Sequence, residues 1–137
     1  MKVLTSFPLM LLVLIAYNGL AFGLAGEVIS WDSVLFSLSM ISGVDLPVRL
    51  GEALLAFGLV ILFFEVLKAT RVGSASIVDH LFSTLVLLVF VVEFLLVPAA
   101  STTIFALLTL MVLIDVMAGF SVSIRSATRD VALDDSL

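Results

Sequence analysis

Four long apolar runs, at residues 7–26, 50–69, 77–97 and 102–124, constrain the fold more than any other feature of the sequence. A helix needs roughly 20 mostly apolar residues to cross the hydrocarbon core of a bilayer. Backbone groups in lipid must find hydrogen-bond partners within the protein, so continuous runs of this length are typical of helices. The sequence therefore predicts an all-α membrane protein with four transmembrane helices in a single domain.

The composition indicates that a bilayer is the natural solvent for this chain. Of its 137 residues, 63% are hydrophobic and 12% are charged, and the mean hydropathy is +1.38. Soluble domains are about half apolar and a quarter charged. A small domain buries only about two-thirds of its chain surface, so a globular fold of this length could not hide so much apolar area.

Charge and cysteine content exclude several classes of function. The formal net charge is −5, which argues against nucleic-acid partners and against a polybasic lipid-recruited surface. The sequence contains no cysteine. Disulfides, thiol catalysis, cysteine-ligated zinc and iron–sulfur clusters are therefore excluded.

The connections between the runs differ in length. Residues 70–76 and 97–101 are short turns, which predict antiparallel neighbours in an up-down bundle. Residues 27–49 are longer and more polar. They are predicted to form an extracytoplasmic loop or a short interfacial helix, with Trp31 in the aromatic belt and a turn at Asp45-Leu46-Pro47.

The first run has a second interpretation. Lys2, the apolar stretch and the small residues Gly23-Leu24-Ala25 resemble a cleavable signal peptide. The run is about twice the usual length of such a hydrophobic region, so a membrane span is the favoured interpretation.

The basic residues orient the predicted bundle. Five of them fall on one side: Lys2, Lys68, Arg71, Arg125 and Arg129. The other basic residue, Arg49, falls on the opposite side. By the positive-inside rule both termini are predicted to be cytoplasmic. Residues 125–137 are predicted to be a frayed cytoplasmic tail.

Ionisable residues inside a bilayer are costly and therefore mark the places to examine. One group is predicted near the cytoplasmic end of the bundle: Glu65, Lys68, Arg71, Asp79, His80 and Asp115. Glu65 and Lys68 are three residues apart and share a helix face. Three interpretations are open: a structural ion network that fixes helix register, a proton or ion path, and a recognition site for a lipid headgroup or partner helix.

A second polar site is predicted in the outer leaflet around Glu93, Asn18 and Tyr17. Arg49 is the basic residue that could reach this level, and Thr102 or Thr103 could hydrogen-bond Glu93 instead. Glu93 is thus either a structural hydrogen-bonding group or a proton carrier. Nearby, Gly19 and Gly23 form a GxxxG pattern, which predicts close helix packing within the chain or between subunits.

Motifs for catalysis are missing from the sequence. It has one histidine, no phosphate-binding glycine loop and no pattern typical of a catalytic triad. Asp79 and His80 form at most a loose metal-binding pair. We therefore predict no catalytic, cofactor-binding or metal-binding residues.

Three segments carry a resemblance to a known group of proteins. They are Leu62–Arg71 (LFFEVLKATR), Glu93–Pro98 (EFLLVP) and Asp115–Arg125 (DVMAGFSVSIR). With them, most of the chain resembles a family of small four-helix multi-pass inner-membrane proteins of proteobacteria. The resemblance implies a bacterial inner-membrane location and supplies no mechanism.

These observations favour a non-enzymatic membrane protein that acts by helix–helix association, as an accessory subunit, an assembly factor or an oligomeric scaffold. Its predicted partners are the lipid bilayer and either further copies of itself or other membrane proteins. One alternative is an oligomeric proton or ion channel, or a small transporter, using Glu93, Glu65 and Asp115. Another is a lipid-modifying enzyme with Asp79, His80 and Asp115 at the interface.

Overall fold

The structure is a computed structural model that describes residues 7–23, 30–70 and 75–134. Its helices are α1 (Met10–Ala21), α2 (Leu50–Ala69), α3 (Ala75–Leu96) and α4 (Thr103–Asp134), with a short 3-10 helix at Pro98–Ala100. Two strands, β1 (Val34–Ser39) and β2 (Asp45–Arg49), lie between α1 and α2.

Three helices are long and apolar enough to cross a membrane: α2, α4 and the Val78–Leu96 part of α3. The prediction of a helical membrane protein is confirmed at this level. The apolar helix α1 has 12 residues, which rise about 18 Å and fall short of a bilayer core of about 30 Å. Part of the first predicted run, residues 24–26, lies outside the described residues, so a fourth crossing stays a prediction.

The core lies where α4 packs against both α2 and α3, with α1 alongside α2. Its fully buried side chains come from three helices: Val13, Tyr17, Phe90, Phe105, Leu108 and Val112. Phe105 is central, since its ring lies 5.2 Å from that of Phe90 and 4.6 Å from that of Tyr17.

The segment between α1 and α2 is a β-hairpin, so the prediction of an interfacial helix or loop was wrong. β1 and β2 pair antiparallel, from Val34 opposite Arg49 to Ser39 opposite Asp45. The bend falls at residues 41–43, where Gly43 has φ +82°, and not at Asp45-Leu46-Pro47. Large apolar residues at 34, 36, 38 and 40 follow the two-residue period of a strand. This period prevails over the helical spacing of Leu35, Leu38 and Ile41 on which the prediction of a helix depended.

The base of the hairpin is bonded to the start of α2. The backbone N–H of Gly51 donates to Trp31 O at 3.0 Å, and that of Leu50 donates to Ser33 O at 2.9 Å. These bonds satisfy two of the N–H groups that a helix leaves free at its first turn. The Trp31 ring stacks on Tyr17 of α1, with ring centroids 4.6 Å apart. The hairpin is thereby fixed to one end of the bundle, here called the hairpin end.

α4 continues well beyond the predicted fourth run. The helix ends at Asp134, so the prediction of a frayed tail was wrong for residues 125–134. Residues 135–137 lie outside the described part. The 32 residues of α4 rise about 48 Å, well over the hydrocarbon thickness of about 30 Å. Good helix formers such as Arg125, Ala127 and Arg129 account for the extension.

Gly58 and Gly119 are sites of close helix packing, and close packing at Gly19 and Gly23 stays a prediction. Gly23 lies beyond the end of α1 with φ +71°, a backbone conformation typical of a residue that terminates a helix, and Gly19 is half-buried. By contrast, a Cβ added at Gly58 of α2 would lie 2.9 Å from Leu108 Cδ2. A Cβ added at Gly119 of α4 would overlap His80 Nδ1 of α3.

We expect Gly119→Val to lower the free energy of unfolding by about 1–3 kcal/mol, the range for overpacking a filled interior. The matched control is Ala127→Val, which places the same β-branched side chain at an exposed position of the same helix. Both can be measured by denaturation in mixed micelles. Equal stability of the two variants would contradict close packing of α3 on α4 at Gly119.

Candidate functional site

A group of buried charges lies at the end of the bundle opposite the hairpin. We call Glu65, Lys68, Asp79 and Asp115 the charge cluster. Lys68 Nζ lies 2.9 Å from Glu65 Oε2 and 3.2 Å from Asp79 Oδ1. Glu65 and Lys68 meet because they are three residues apart on α2, and Asp79 reaches them from the first turns of α3. One lysine thus joins two helices.

The same two α2 side chains also hold the start of α1. Lys68 Nζ donates a hydrogen bond to Phe7 O at 2.8 Å, and Glu65 Oε1 accepts one from the backbone N–H of Leu9. Leu9 is the N-cap residue of α1 and has no side-chain cap of its own. Glu65, a residue of α2, therefore caps the N-terminus of α1. A negative charge at this end also interacts favourably with the dipole of α1.

Asp115 completes the charge cluster from α4. Its exposed fraction is 4%, its side chain hydrogen-bonds Ser83 of α3, and its Oδ2 atom is buried without a hydrogen-bond partner in the described part of the chain. Ser83 was not among the predicted site residues. Its spacing of four residues from Asp79 places both on one face of α3, which is the signal that could have identified it.

His80 lies beside the charge cluster. It is 8% exposed, its ring centroid is 5.9 Å from that of Phe120, and it packs over Gly119. The structure thus gathers five of the six residues predicted at this end, and Arg71 lies outside the described residues. Within the described ranges no three potential ligands are grouped so that they could hold a metal ion.

Tyr17 anchors the hairpin end of the bundle. Its hydroxyl donates to Ala99 O at 2.8 Å and lies 2.8 Å from Thr102 Oγ1. Thr102 Oγ1 in turn accepts the backbone N–H of Phe105 at 3.1 Å, an N-cap interaction for α4. The buried tyrosine therefore ties α1 to the turn between α3 and α4, a structural role.

Glu93 and Asn18 face a groove between α1 and α3. The groove has a volume of about 600 Å³, and its other lining side chains are apolar: Phe22, Leu85, Leu88, Val89, Val92 and Val97. Asn18 Oδ1 is buried without a hydrogen-bond partner in the described residues. No hydrogen bond among those residues joins Glu93 to Asn18, Tyr17 or Thr102, so the structure places the predicted outer residues near one another without linking Glu93 to them.

Packed side chains separate the two polar regions. Phe90, Phe105, Leu108 and Val112 have no exposed surface and occupy the interior between the charge cluster and Tyr17. A close-packed interior has few voids larger than a water molecule. These side chains therefore close the direct route through the described interior between Tyr17 and Asp115.

Comparison with known proteins gave no match that could assign this chain to a family, since no protein-family model, curated protein or solved structure matches it. The resemblance to a proteobacterial inner-membrane family stays a prediction. Function must therefore be inferred from the charge cluster and from the surfaces that the bundle leaves exposed.

Proposed function

We propose that this chain is a non-enzymatic multi-pass membrane protein that acts by association with other membrane proteins or with further copies of itself. The roles that fit are accessory subunit, assembly factor and oligomeric scaffold. The observation that carries the proposal is that the charge cluster is closed. A catalytic group must reach a substrate from solvent or from lipid headgroups, whereas these charges face one another.

The degree of closure can be stated in numbers. Glu65 is 2% exposed, Asp115 4% and Asp79 9%, and the Lys68 side chain is 13% exposed. The Lys68 ammonium group has two carboxylates and one carbonyl as partners, which suits a buried charge. These contacts join α1, α2 and α3, with Asp115 of α4 alongside, so the cluster fixes the helices in register.

A channel or small transporter is the second candidate. Asp115 Oδ2, buried without a hydrogen-bond partner in the described residues, is the observation that favours it, because an unsatisfied buried acceptor can mark a functional group. Such a function needs several copies, since packed side chains close the direct route through the described interior between Tyr17 and Asp115. Lipid-modifying chemistry has less support, because Asp79, His80 and Asp115 are all buried.

The membrane topology belongs to the same proposal. Four crossings, with both termini on the cytoplasmic side of a bacterial inner membrane, agree with the distribution of basic residues. In this arrangement the hairpin and the α3–α4 turn are extracytoplasmic. The charge cluster then lies toward the cytoplasmic surface.

Single-cysteine labelling tests this topology cleanly, because the natural chain has no cysteine and serves as the blank. We expect a membrane-impermeant maleimide to label Ser42→Cys and Ser101→Cys in intact cells whose outer membrane has been permeabilised. Thr5→Cys and Ala127→Cys should react only after the inner membrane is also opened. Thr5→Cys reacting from outside would instead indicate three crossings.

Photo-crosslinking in native membranes tests the proposed association. A photoreactive amino acid at Leu88, which is 55% exposed on α3, should capture a protein and give a discrete larger band. The matched control is Phe90, two residues away and fully buried, where crosslinks should stay within the chain. Scanning further exposed positions, such as Phe63 on α2, covers the other lipid-facing surface. Crosslinks to lipid alone from all exposed positions would overturn the proposal.

A further inference from the structure

The β-hairpin exposes an unusual amount of apolar surface. Most of its large apolar side chains are about half exposed or more, Val48 being partly buried. The exposed ones are Val34, Leu35, Phe36, Leu38, Met40, Ile41, Val44 and Leu46. Ile41, at the tip, is fully exposed. A hairpin of two strands is marginally stable by itself in water. Large exposed apolar patches mark sites of protein or membrane contact.

The two edges of the hairpin differ in what they offer a further strand. Met40 N–H donates to Val44 O at 3.0 Å, and bonded and non-bonded pairs alternate along antiparallel strands. Ser37 and Ser39 of β1 therefore direct their backbone N–H and C=O groups away from β2. On the outer edge of β2 the corresponding position opposite Ser37 is Pro47, which has no N–H to donate.

The β1 edge lacks charge and proline, two of the features that normally protect an edge strand. Its sequence is VLFSLS, whereas natural edges are protected by charged side chains, by proline or by a covering element. The register shift in β1 lies at its start, between Val34 and Phe36, and residues 36–39 pair in regular register. Among the described residues, β2 is the one strand paired with β1. A bilayer surface can cover apolar side chains, but a row of free backbone N–H and C=O groups along a strand is matched in spacing by another strand.

We infer that two copies of this chain join through their β1 strands, which pair antiparallel to form a four-stranded sheet in the order β2-β1-β1-β2. A second copy fits the edge because antiparallel pairing of a strand with itself is symmetric. The absence of charge in β1 also means that no like charges meet. Homodimers with such two-fold contacts are the commonest symmetric assemblies. The inference rests on the proposed function and names one partner for it.

Disulfide crosslinking in native membranes tests the inference. With single cysteines at residues 36–39 in turn, we expect mild oxidation to give a covalent dimer that peaks within β1. Two controls lie at the same end of the bundle: Ser101→Cys in the α3–α4 turn, and Asp45→Cys on the outer edge of β2. Dimer yields within β1 no greater than those of both controls would overturn the inference.

A proline variant tests whether backbone pairing holds the dimer. Ser37→Pro removes one outward N–H and leaves the β1–β2 bonds in place, as Pro47 does in the opposite strand. We expect loss of the Leu38→Cys crosslink in this background, and retention of it with Ser37→Ala. An unchanged crosslink in Ser37→Pro would contradict strand pairing.

The outcome is separable from that of the proposed function. If β1 gives no dimer while the Leu88 photo-crosslink still captures a protein, β1 pairing fails and association through the membrane helices stands. If neither experiment captures a protein, both proposals fail.

Discussion

Lys68→Met is expected to lower the free energy of unfolding by about 3–5 kcal/mol, the cost of breaking a buried ion pair by removing one partner. The variant leaves the Glu65 and Asp79 carboxylates buried without their cation and removes the hydrogen bond to Phe7 O. Unfolding in mixed micelles can be followed by the fluorescence of Trp31, the one tryptophan of the chain, because its ring stacks on Tyr17.

The control for this variant is an exposed ion pair at the start of α2, between Arg49, the last residue of β2, and Glu52 in the first turn. Arg49 and Glu52 lie 3.6 Å apart with side chains 46% and 53% exposed, and exposed pairs contribute about 0–1 kcal/mol. Arg49→Met should therefore change stability little. A combined Glu65→Gln, Lys68→Met, Asp79→Asn variant should recover part of the loss, since the two carboxylates that pair with Lys68 are then neutral as well. A small effect of Lys68→Met would mean that the charge cluster does not hold the helices.

Phe105→Ala is expected to cost about 3 kcal/mol, the lower end of the range for truncating a buried phenylalanine. The side chain is fully buried and contacts the rings of Tyr17, Phe90 and Phe94. The lower end applies because lipid tails accommodate the exposed side chain in the unfolded state nearly as well as the core does. The expected loss of stability therefore comes from the packing contacts that Phe105 makes in the core.

Phe63→Ala on α2 is the matched control for Phe105→Ala. Phe63 is 59% exposed, so its removal leaves no cavity, and we expect a change within about 0.5 kcal/mol, as for ordinary surface substitutions. If Phe105→Ala were as mild as Phe63→Ala, the aromatic packing at the hairpin end would not determine stability.

The helical part of the fold could be predicted because length and hydropathy alone set it. The second predicted run, residues 50–69, has the same limits as α2, and the third, 77–97, differs from α3 by one or two residues at each end. The charge cluster was also predictable as a set, since helix rise and antiparallel order place Glu65, Asp79 and Asp115 at similar depth.

The remaining features depend on contacts that a single sequence does not contain. The hairpin was missed because Leu35, Leu38 and Ile41 also fit a helical period, and the choice is made by pairing with residues 45–49. Gly58 and Gly119 were missed because close packing depends on which side chains oppose them. The capping of α1 by Glu65 required knowing that the end of α2 lies beside Leu9.

Whether this chain acts by association can be decided from the mass and composition of the intact particle after gentle extraction from its native membrane. We expect a defined assembly that contains either two or more copies of this chain or other membrane proteins in fixed proportion. A stable monomer in several mild detergents, with no protein partner captured by crosslinking in the membrane, would contradict it.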